Sequence, residues 1–377
     1  MIKPHRHLLA ALCLTLPLAA CGEPKAPAAV DPVPTLAFGS CLRQWQDQPV
    51  WQSVSALQPE AFVFLGDNVY TDVGAYAGKP LPERIGEAYR ELSQQPEFAA
   101  FVATARARGT ALHATWDDHD YGANDGGADF PWRTQSKTHF LGFFGLERTA
   151  SGTAEVPGIY HAGSVELAGL RVQLLLLDTR SFRSPLKKGP DSSSCPPTGT
   201  VANNDPEATI LGEEQWAWLA KELAKPADLR LLASSIQVIP DQHCFEKWAN
   251  FPAERSRLLQ LIRDSDANGV VVLSGDRHLA EISQLPAEAV GYPLYEVTAS
   301  GLNSAIGKLG LVLNREDNRY RVGAGNVTQD NFGTLQIVAG REGPAVALQI
   351  RDVAGKVRQQ TIVELHRLRR ADPNETR

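Results

Sequence analysis

Beyond residue 20 the chain has no apolar run approaching the roughly 20 residues of a transmembrane helix, so no membrane span is expected after the N-terminal segment. It also lacks a basic block: 37 Lys and Arg against 43 Asp and Glu leave a net charge of −6. That balance excludes a surface that tracks a nucleic-acid backbone by counterion release, and it confines any phosphate chemistry to a local site. No internal repeat and no inter-domain linker is visible. The 377 residues, 43% of them hydrophobic, are therefore read as one α/β domain behind a leader. Cysteine is scarce: of five, Cys13 and Cys21 fall in the N-terminal segment, which leaves Cys41, Cys195 and Cys244, an odd number.

The N-terminus reads as a leader. Lys3, His5 and Arg6 precede LLAALCLTLPLAA and then Cys21, a charged region, an apolar region and a small-residue cleavage site. Residues 1–20 are expected to be a signal peptide that is removed. Arg6 has no neighbouring arginine, so a twin-arginine signal is not supported. Leu18-Ala19-Ala20-Cys21 resembles a bacterial lipobox, whose cysteine becomes a lipidated N-terminus; ordinary cleavage near Ala20 is the alternative. The expectation is a lipoprotein of the bacterial cell envelope, exported and held to a membrane through Cys21, with residues 21–35 as a Pro/Ala-rich tether. In that oxidising compartment Cys195, in a Ser/Pro-rich loop, and Cys244 are expected to pair, with Cys41 left as a thiol.

The stretch Ala111–Gly122, ALHATWDDHDYG, places Asp117, Asp118, His119 and Asp120 in a row directly after a small strand-like run. Carboxylates this close cannot all ionise unless solvated or bound to a cation. A solvated acidic turn capping a helix is the plain alternative. The same pattern recurs, however. Leu36–Ser40 delivers Cys41, and Ala61–Leu65, suited to a strand buried on both faces, delivers Gly66-Asp67-Asn68-Val69-Tyr70. Val172–Leu177 ends at Asp178-Thr179-Arg180, and Gly269–Leu273 ends at Ser274-Gly275-Asp276-Arg277-His278. Five strand ends bearing ligand-type residues point to one site.

Helical spacing covers Trp45–Leu57, Glu83–Ala105 with a break at Pro96, Phe140–Gly145, Leu211–Leu223 and Arg255–Ile262. Further strands are read over Leu229–Ile239, Tyr295–Ser300, Thr334–Val338, Ala345–Ile350 and Val357–Leu365, with Ser181–Ile210 as a loop. Alternating strands and helices favour a layered α/β fold with mixed sheets and polar groups outside the strand ends.

Read together, GSC, GDNVY, WDDHDYG with NDGG after it, LLLDTR, LGEEQWAWL, SSIQVIP, FPAER and SGDRH follow one another from Phe38 to about Gly333. In that order they resemble the PhoD-like (alkaline phosphatase D) branch of the calcineurin-like metallophosphoesterases. The resemblance implies a four-layer αββα sandwich, two mixed β-sheets flanked by helices, over residues 36–366, with 367–377 as a charged tail. It implies that Asp67 bridges two metals, that Tyr70 and Cys41 bind a ferric iron as phenolate and thiolate, and that Asp118 binds the second metal. His119 takes the family's histidine position with Asp120 orienting its ring. Asp276 and His278 face one metal each. No histidine stands near SSIQVIP where many members place another ligand, and His243 is not assigned. Mainly oxygen donors then favour calcium at the second position, with manganese, magnesium or zinc as alternatives. The N-terminal β-sandwich domain of longer members is not expected in this chain.

The implied reaction is hydrolysis of a phosphate ester by a metal-activated water. His119 would protonate the leaving oxygen or stabilise phosphoryl charge, and Arg180 or Arg277 would grip the non-bridging oxygens, although Arg180 could equally pair with Asp178. With only two candidate arginines and no C-terminal lid helix, a diester is the favoured substrate. Removal of His366–Arg377 is expected to have little effect. The alternative class is a non-catalytic, metal-binding surface lipoprotein that keeps the fold. The sequence sets no oligomeric state.

Overall fold

The computed structural model describes Met1 and residues 33–79, 81, 83–146, 158–189, 199–309 and 316–370. The leader, the lipobox-like tetrapeptide, all of the tether up to residue 32, Cys195 and residues 371–377 lie outside the described residues. No helix among the described residues is long and apolar enough to cross a membrane.

In chain order the elements are β1 (Thr35–Gly39), α1 (Val50–Ala56), β2 (Ala61–Leu65), α2 (Glu83–Gln94), α3 (Pro96–Arg108), β3 (Ala111–Thr115), α4 (Asp118–Tyr121), α5 (Arg133–Phe144), β4 (His161–Leu167) and β5 (Leu170–Leu176). There follow β6 (Lys187–Lys188), β7 (Thr200–Val201), α6 (Gly212–Leu223), β8 (Leu229–Ala233), α7 (Pro252–Asp264), β9 (Val270–Ser274), β10 (Ala280–Leu285), β11 (Leu294–Ala299), β12 (Arg321–Val327), β13 (Asn331–Ala339), β14 (Pro344–Asp352) and β15 (Val357–Glu364). Local chemistry sets the boundaries. Pro96 opens α3 and forces Gln95 into an extended conformation, which separates α3 from α2. Gly109 closes α3 in the left-handed region, its N–H returning to Ala105 and Arg106 carbonyls.

One sheet has the order β15-β14-β13-β1-β2-β3, with β1, β2 and β3 parallel; the other runs β12-β10-β11-β9-β8-β5-β4, with β5, β8, β9 and β11 parallel. The sheets pack face to face over a core that takes Phe38, Val63 and Leu335 from one and Leu174, Leu231, Val271 and Val297 from the other. Outside the first sheet, Phe62 and Phe64 meet Trp51 of α1, Phe98 and Phe101 of α3 and Phe140 of α5. Outside the second, Leu232 and Val272 meet Trp216 and Leu219 of α6 and Leu258 and Ile262 of α7. This is the four-layer αββα sandwich that the resemblance implied.

Several elements differ from the sequence reading. β4, β10 and β12 were not expected: HAGSVEL and RVGAGNV carry too few apolar side chains, and Glu281 and Ser283 interrupt AEISQL while lying buried. α1 begins only at Val50. The polar end of Leu229–Ile239 leaves the sheet after Ala233. Part of the supposed free tail is built in: Leu365–Leu368 forms a 3-10 turn, Leu368 joins the inter-sheet core, and its carbonyl accepts the Gly269 N–H at 2.6 Å. The expectation that His366–Arg377 could be removed without effect is therefore corrected.

Candidate metal centre

The parallel strands of both sheets deliver their C-terminal ends to one edge of the sandwich. An isolated parallel bridge between Ser40, just past β1, and Ser300, just past β11, ties the two sheets there. Gly66 makes the next turn possible. Its φ is +99°, and a Cβ on it would lie 2.6 Å from Asp117 Cβ, so only glycine lets the Asp67 loop abut the end of β3. Cys41, Asp67, Asp276 and His278 all adopt positive φ, between 50° and 66°, a conformation that bulky L-residues avoid and that clusters at functional sites.

These residues converge. The Cys41 thiol donates to Asp67 Oδ2 at 3.5 Å and lies 3.1 Å from Ser300 Oγ. Tyr70 donates its phenolic O–H to the same Asp67 oxygen at 3.1 Å and lies 3.4 Å from His278 Nε2. His278 Nδ1 faces the Ser304 carbonyl, which leaves Nε2 turned to the cluster. The ligand atoms of Cys41, Asp67 and His278 all fall within 4.8 Å of one another, and so do those of Asp67, Asp117, Asp118 and Asp276. Asp67 belongs to both groups.

Burial works against the charged forms of these groups. Burial, reinforced by Asp118, Asp117 and Asp120 and opposed by His119, pushes Asp67 well above the usual carboxylate range; burial and then Asp117 and Asp118 do the same to Asp276. Burial and the Asp67 carboxylate raise Cys41, and they raise Tyr70 likewise. Burial lowers His278 to about 4, which keeps its ring neutral. Asp118 Oδ1 and Asp117 Oδ2 are buried without a hydrogen-bond donor. Orphaned buried carboxylate oxygens beside a thiol, a phenol and a neutral imidazole make a donor set that fits metal ions.

Three of the expected roles are corrected. Asp120 does not orient His119: it accepts the Asn68 N–H and side-chain amide and the Asp117 N–H. The ring of His119 is held instead by Asp72, whose Oδ1 lies 2.6 Å from Nδ1 while Oδ2 accepts the Asn124 N–H at 2.7 Å; Tyr70 packs on it at 4.3 Å between centroids. Burial disfavours the imidazolium, but Asp118, Asp67 and Asp72 outweigh it and raise His119 to about 11. Arg180 is fully buried and not open to substrate. Its guanidinium binds Asp117 and, at 2.6 Å, Glu246, with Arg183 also on Glu246 at 2.8 Å. Asp178 is not its partner in a side-chain ion pair, since that carboxylate instead accepts the Trp116 indole and several backbone N–H groups. Arg277 is paired with Glu316 and lies 4.2 Å over the Phe245 ring.

Sequence reasoning also missed Glu246 and Asp125, which together with Asp118 form a further group of close carboxylates. Glu246 lies in a loop with no apolar pattern to flag it. His243 is buried, with Nδ1 accepting the Phe245 N–H, and belongs to none of these groups. Cys41 is a free thiol and Cys244 is disulfide-bonded; Cys195, its expected partner, is not among the described residues.

Comparison with known proteins bears on the family resemblance and the fold. Residues 166–340 match the family model of the PhoD-like phosphatases. Alkaline phosphatase D of Bacillus subtilis (strain 168) is 26% identical over 292 residues, 69% of this chain and 48% of that protein, so the chain spans about half the length of this relative. The solved structure of PhoD superposes with a TM-score of 0.60 at 19% identity, covering 90% of this chain and 74% of the other. GAP50, the anchor in the inner membrane complex of Plasmodium, gives 0.52 at 12% identity over 88% of each chain. At these identities the two structures establish the fold alone.

Proposed function

Because the chain resembles the PhoD-like phosphatases in sequence and in fold, we propose that it is a metal-dependent phosphoesterase that hydrolyses phosphate esters, diesters in preference, at a binuclear site. The observation that carries this reading is that Asp67 is shared by three groups of close ligand atoms, one with Cys41 and His278, one with Asp117, Asp118 and Asp276, and one with Asp118 and His119. Cys41, Tyr70, His278 and Asp67 would hold one ion, and their anionic thiolate and phenolate suit ferric iron. Asp67, Asp118 and Asp276 would hold the other, and oxygen donors suit calcium or a similar hard cation. Such a pair, when bound, supplies an activated water and neutralises charge on the phosphoryl oxygens.

The chain's own residues do the rest. Asp72 fixes His119 through Nδ1, which leaves Nε2 to give its proton to the departing oxygen. Tyr70 closes one face of that ring. Arg180 and Arg277, the two arginines that the sequence offered to grip phosphate, are both engaged with carboxylates and so are not free to select a dianionic monoester, although Arg43 stays close, over Tyr70 at 5.4 Å. A monoanionic diester is the better match. A non-catalytic relative would be expected to lose a ligand or the acid, and none is lost here. Acylation at Cys21 belongs to the same proposal on the strength of Leu18–Cys21, and labelled fatty acid incorporated into the wild type but not into Cys21→Ala tests it.

The central experiment is hydrolysis of a chromogenic phosphodiester at alkaline pH with added calcium, paired with elemental analysis of protein purified without chelator. Asp67→Ala should lose turnover and metal together. A metal-free variant with full activity would overturn the reading.

A further inference from the structure

Two aromatic rings packed beside the centre keep part of their surface in solvent. Among the described residues the exposed aromatics are Trp45, Trp132 and Phe245, at 36%, 39% and 46%. Trp45 and Phe245 each touch a residue of the metal centre or one beside it. The Trp45 indole meets Tyr70 edge-on at 6.4 Å between centroids and stacks on Tyr76 at 6.3 Å. Phe245 lies under the guanidinium of Arg277, the residue between Asp276 and His278.

Both rings are presented by firmly held backbone. Next to Trp45, Gln44 exchanges hydrogen bonds of 2.9 Å in each direction with the Tyr70 backbone, and the Arg43 N–H donates to Asn303 at 2.8 Å. The Phe245 carbonyl accepts Thr200 Oγ1 at 2.7 Å, and its neighbours are disulfide-bonded Cys244 and ion-paired Glu246. A ring held in place with part of its surface open is a pre-organised contact for a ligand.

From these contacts we propose that Trp45 and Phe245 select phosphate esters whose alcohol carries a flat, polar-edged aromatic ring, of the nucleoside type. This rests on the phosphoesterase reading and narrows its substrate class. The rim offers small, partly covered rings flanked by charge: Arg277 lies over Phe245 and His243 tilts against it at 6.2 Å, Tyr76 stacks on Trp45, Arg43 lies over Tyr70 at 5.4 Å, and Asp72 and Asp125 stand beside the centre. An alkyl chain needs continuous apolar wall. A heteroaromatic ring needs only a π-face to stack on and accepts a polar surround, and every base has such a face.

The test holds the leaving group constant. Three p-nitrophenyl phosphodiesters are compared whose second arm is thymidine 5′-yl, methyl or octyl. The wild type should favour the thymidyl over the methyl ester about tenfold in kcat/KM, mostly through KM, within the range measured for base stacking. In Trp45→Ala and in Phe245→Ala that ratio should fall severalfold, and Trp45→Phe, which keeps a ring, should retain most of it. A second readout is binding: thymidine 5′-monophosphate should bind the metal-loaded wild type more tightly than methyl phosphate, with quenching of tryptophan fluorescence, and the Ala variants should lose the difference. A wild-type ratio near one, a preference for the octyl arm, or a ratio unchanged in both Ala variants overturns the proposal. If none of the esters is hydrolysed the phosphoesterase reading fails, and the binding comparison alone then supports or overturns the ring preference.

Discussion

Replacing Asp72 by Asn tests the mechanism most directly, because it removes one charge and almost no volume. Asp72 stands 2.6 Å from His119 Nδ1 and at the same time accepts the Asn124 N–H at 2.7 Å, with 12% of its side chain exposed. Both partners are donors. An amide in its place offers one oxygen and one NH2, so one of the two contacts must become a donor facing a donor. A hydrogen bond to a charged group contributes about 1.5–3 kcal/mol, and each 1.36 kcal/mol is tenfold in rate. If the contact matters through the position and basicity of His119, kcat should fall about 10- to 150-fold. The loss should depend on the leaving group. A p-nitrophenolate departs with little help, whereas an alkoxide needs the proton, so the alkyl phosphodiester should suffer more and the plot of log kcat against leaving-group pKa should steepen. Metal content, measured on the same samples, should stay at the wild-type level. A uniform loss across leaving groups, or a loss that follows missing metal, would show that Asp72 supports the metal centre and does not position an acid.

Three other substitutions probe the surrounding frame. Arg180→Met leaves Asp117 buried without its cation and Glu246 with Arg183 alone and should cost about 3–5 kcal/mol in denaturant unfolding; a loss under 1 kcal/mol would mean that Asp117 is already neutral in the fold. His113 of β3 and His161 of β4 face each other at 6.0 Å, and burial, with His161 adding to it, holds His113 near 4. The unfolded chain takes up that proton below about 6.5 and the folded chain only below about 4, so stability should fall as pH drops through this window, by on the order of 1–3 kcal/mol. Thermal scans of His113→Gln should show a flatter acid limb, and an unchanged limb would assign the acid sensitivity elsewhere. Truncation after Leu365 removes buried Leu368 and its hydrogen bond to Gly269. It should destabilise by at least the 2–5 kcal/mol of a buried Leu→Ala change, whereas truncation after Arg370 should not.

The parts of the site legible in the sequence are those where cause and effect are neighbours in the chain. β2, β3 and β9 are strand-like runs, and the first ligand of each follows within two or three residues because the strand ends there. The partners were illegible for the opposite reason: Asp72 is 47 residues from His119, Asp117 is 63 from Arg180, and Glu246 is 66 from it. The assignment of Asp120 to His119 failed on simple geometry. Adjacent positions on a helix do not face each other, so on α4 the residue next to His119 could not reach its ring. The assignment of Arg180 to substrate failed on burial. An arginine at a strand end was read as reaching outward, but Asp117, sealed between the sheets, has a stronger claim on it than a transient phosphate.

The centre also stores cost, and that cost explains why it stands at this edge. Four non-glycine residues of the cluster hold positive φ, each disfavoured by roughly 1–2 kcal/mol. Asp67, Asp117 and Asp118 are buried together, with Asp276 half-buried beside them, at the expense of their hydration. Neither cost is bearable on a loose surface loop, because the loop would relax. Here the turns are anchored on both sides by buried strands, and the Ser40–Ser300 bridge fixes the distance between the sheets. Disrupting the inter-sheet core near the bridge, for example by Phe38→Ala, should therefore loosen the ligand geometry before it unfolds the chain. Metal affinity would fall at temperatures where far-UV circular dichroism is still native, and simultaneous loss of both signals would show that the strain is held by the cluster itself.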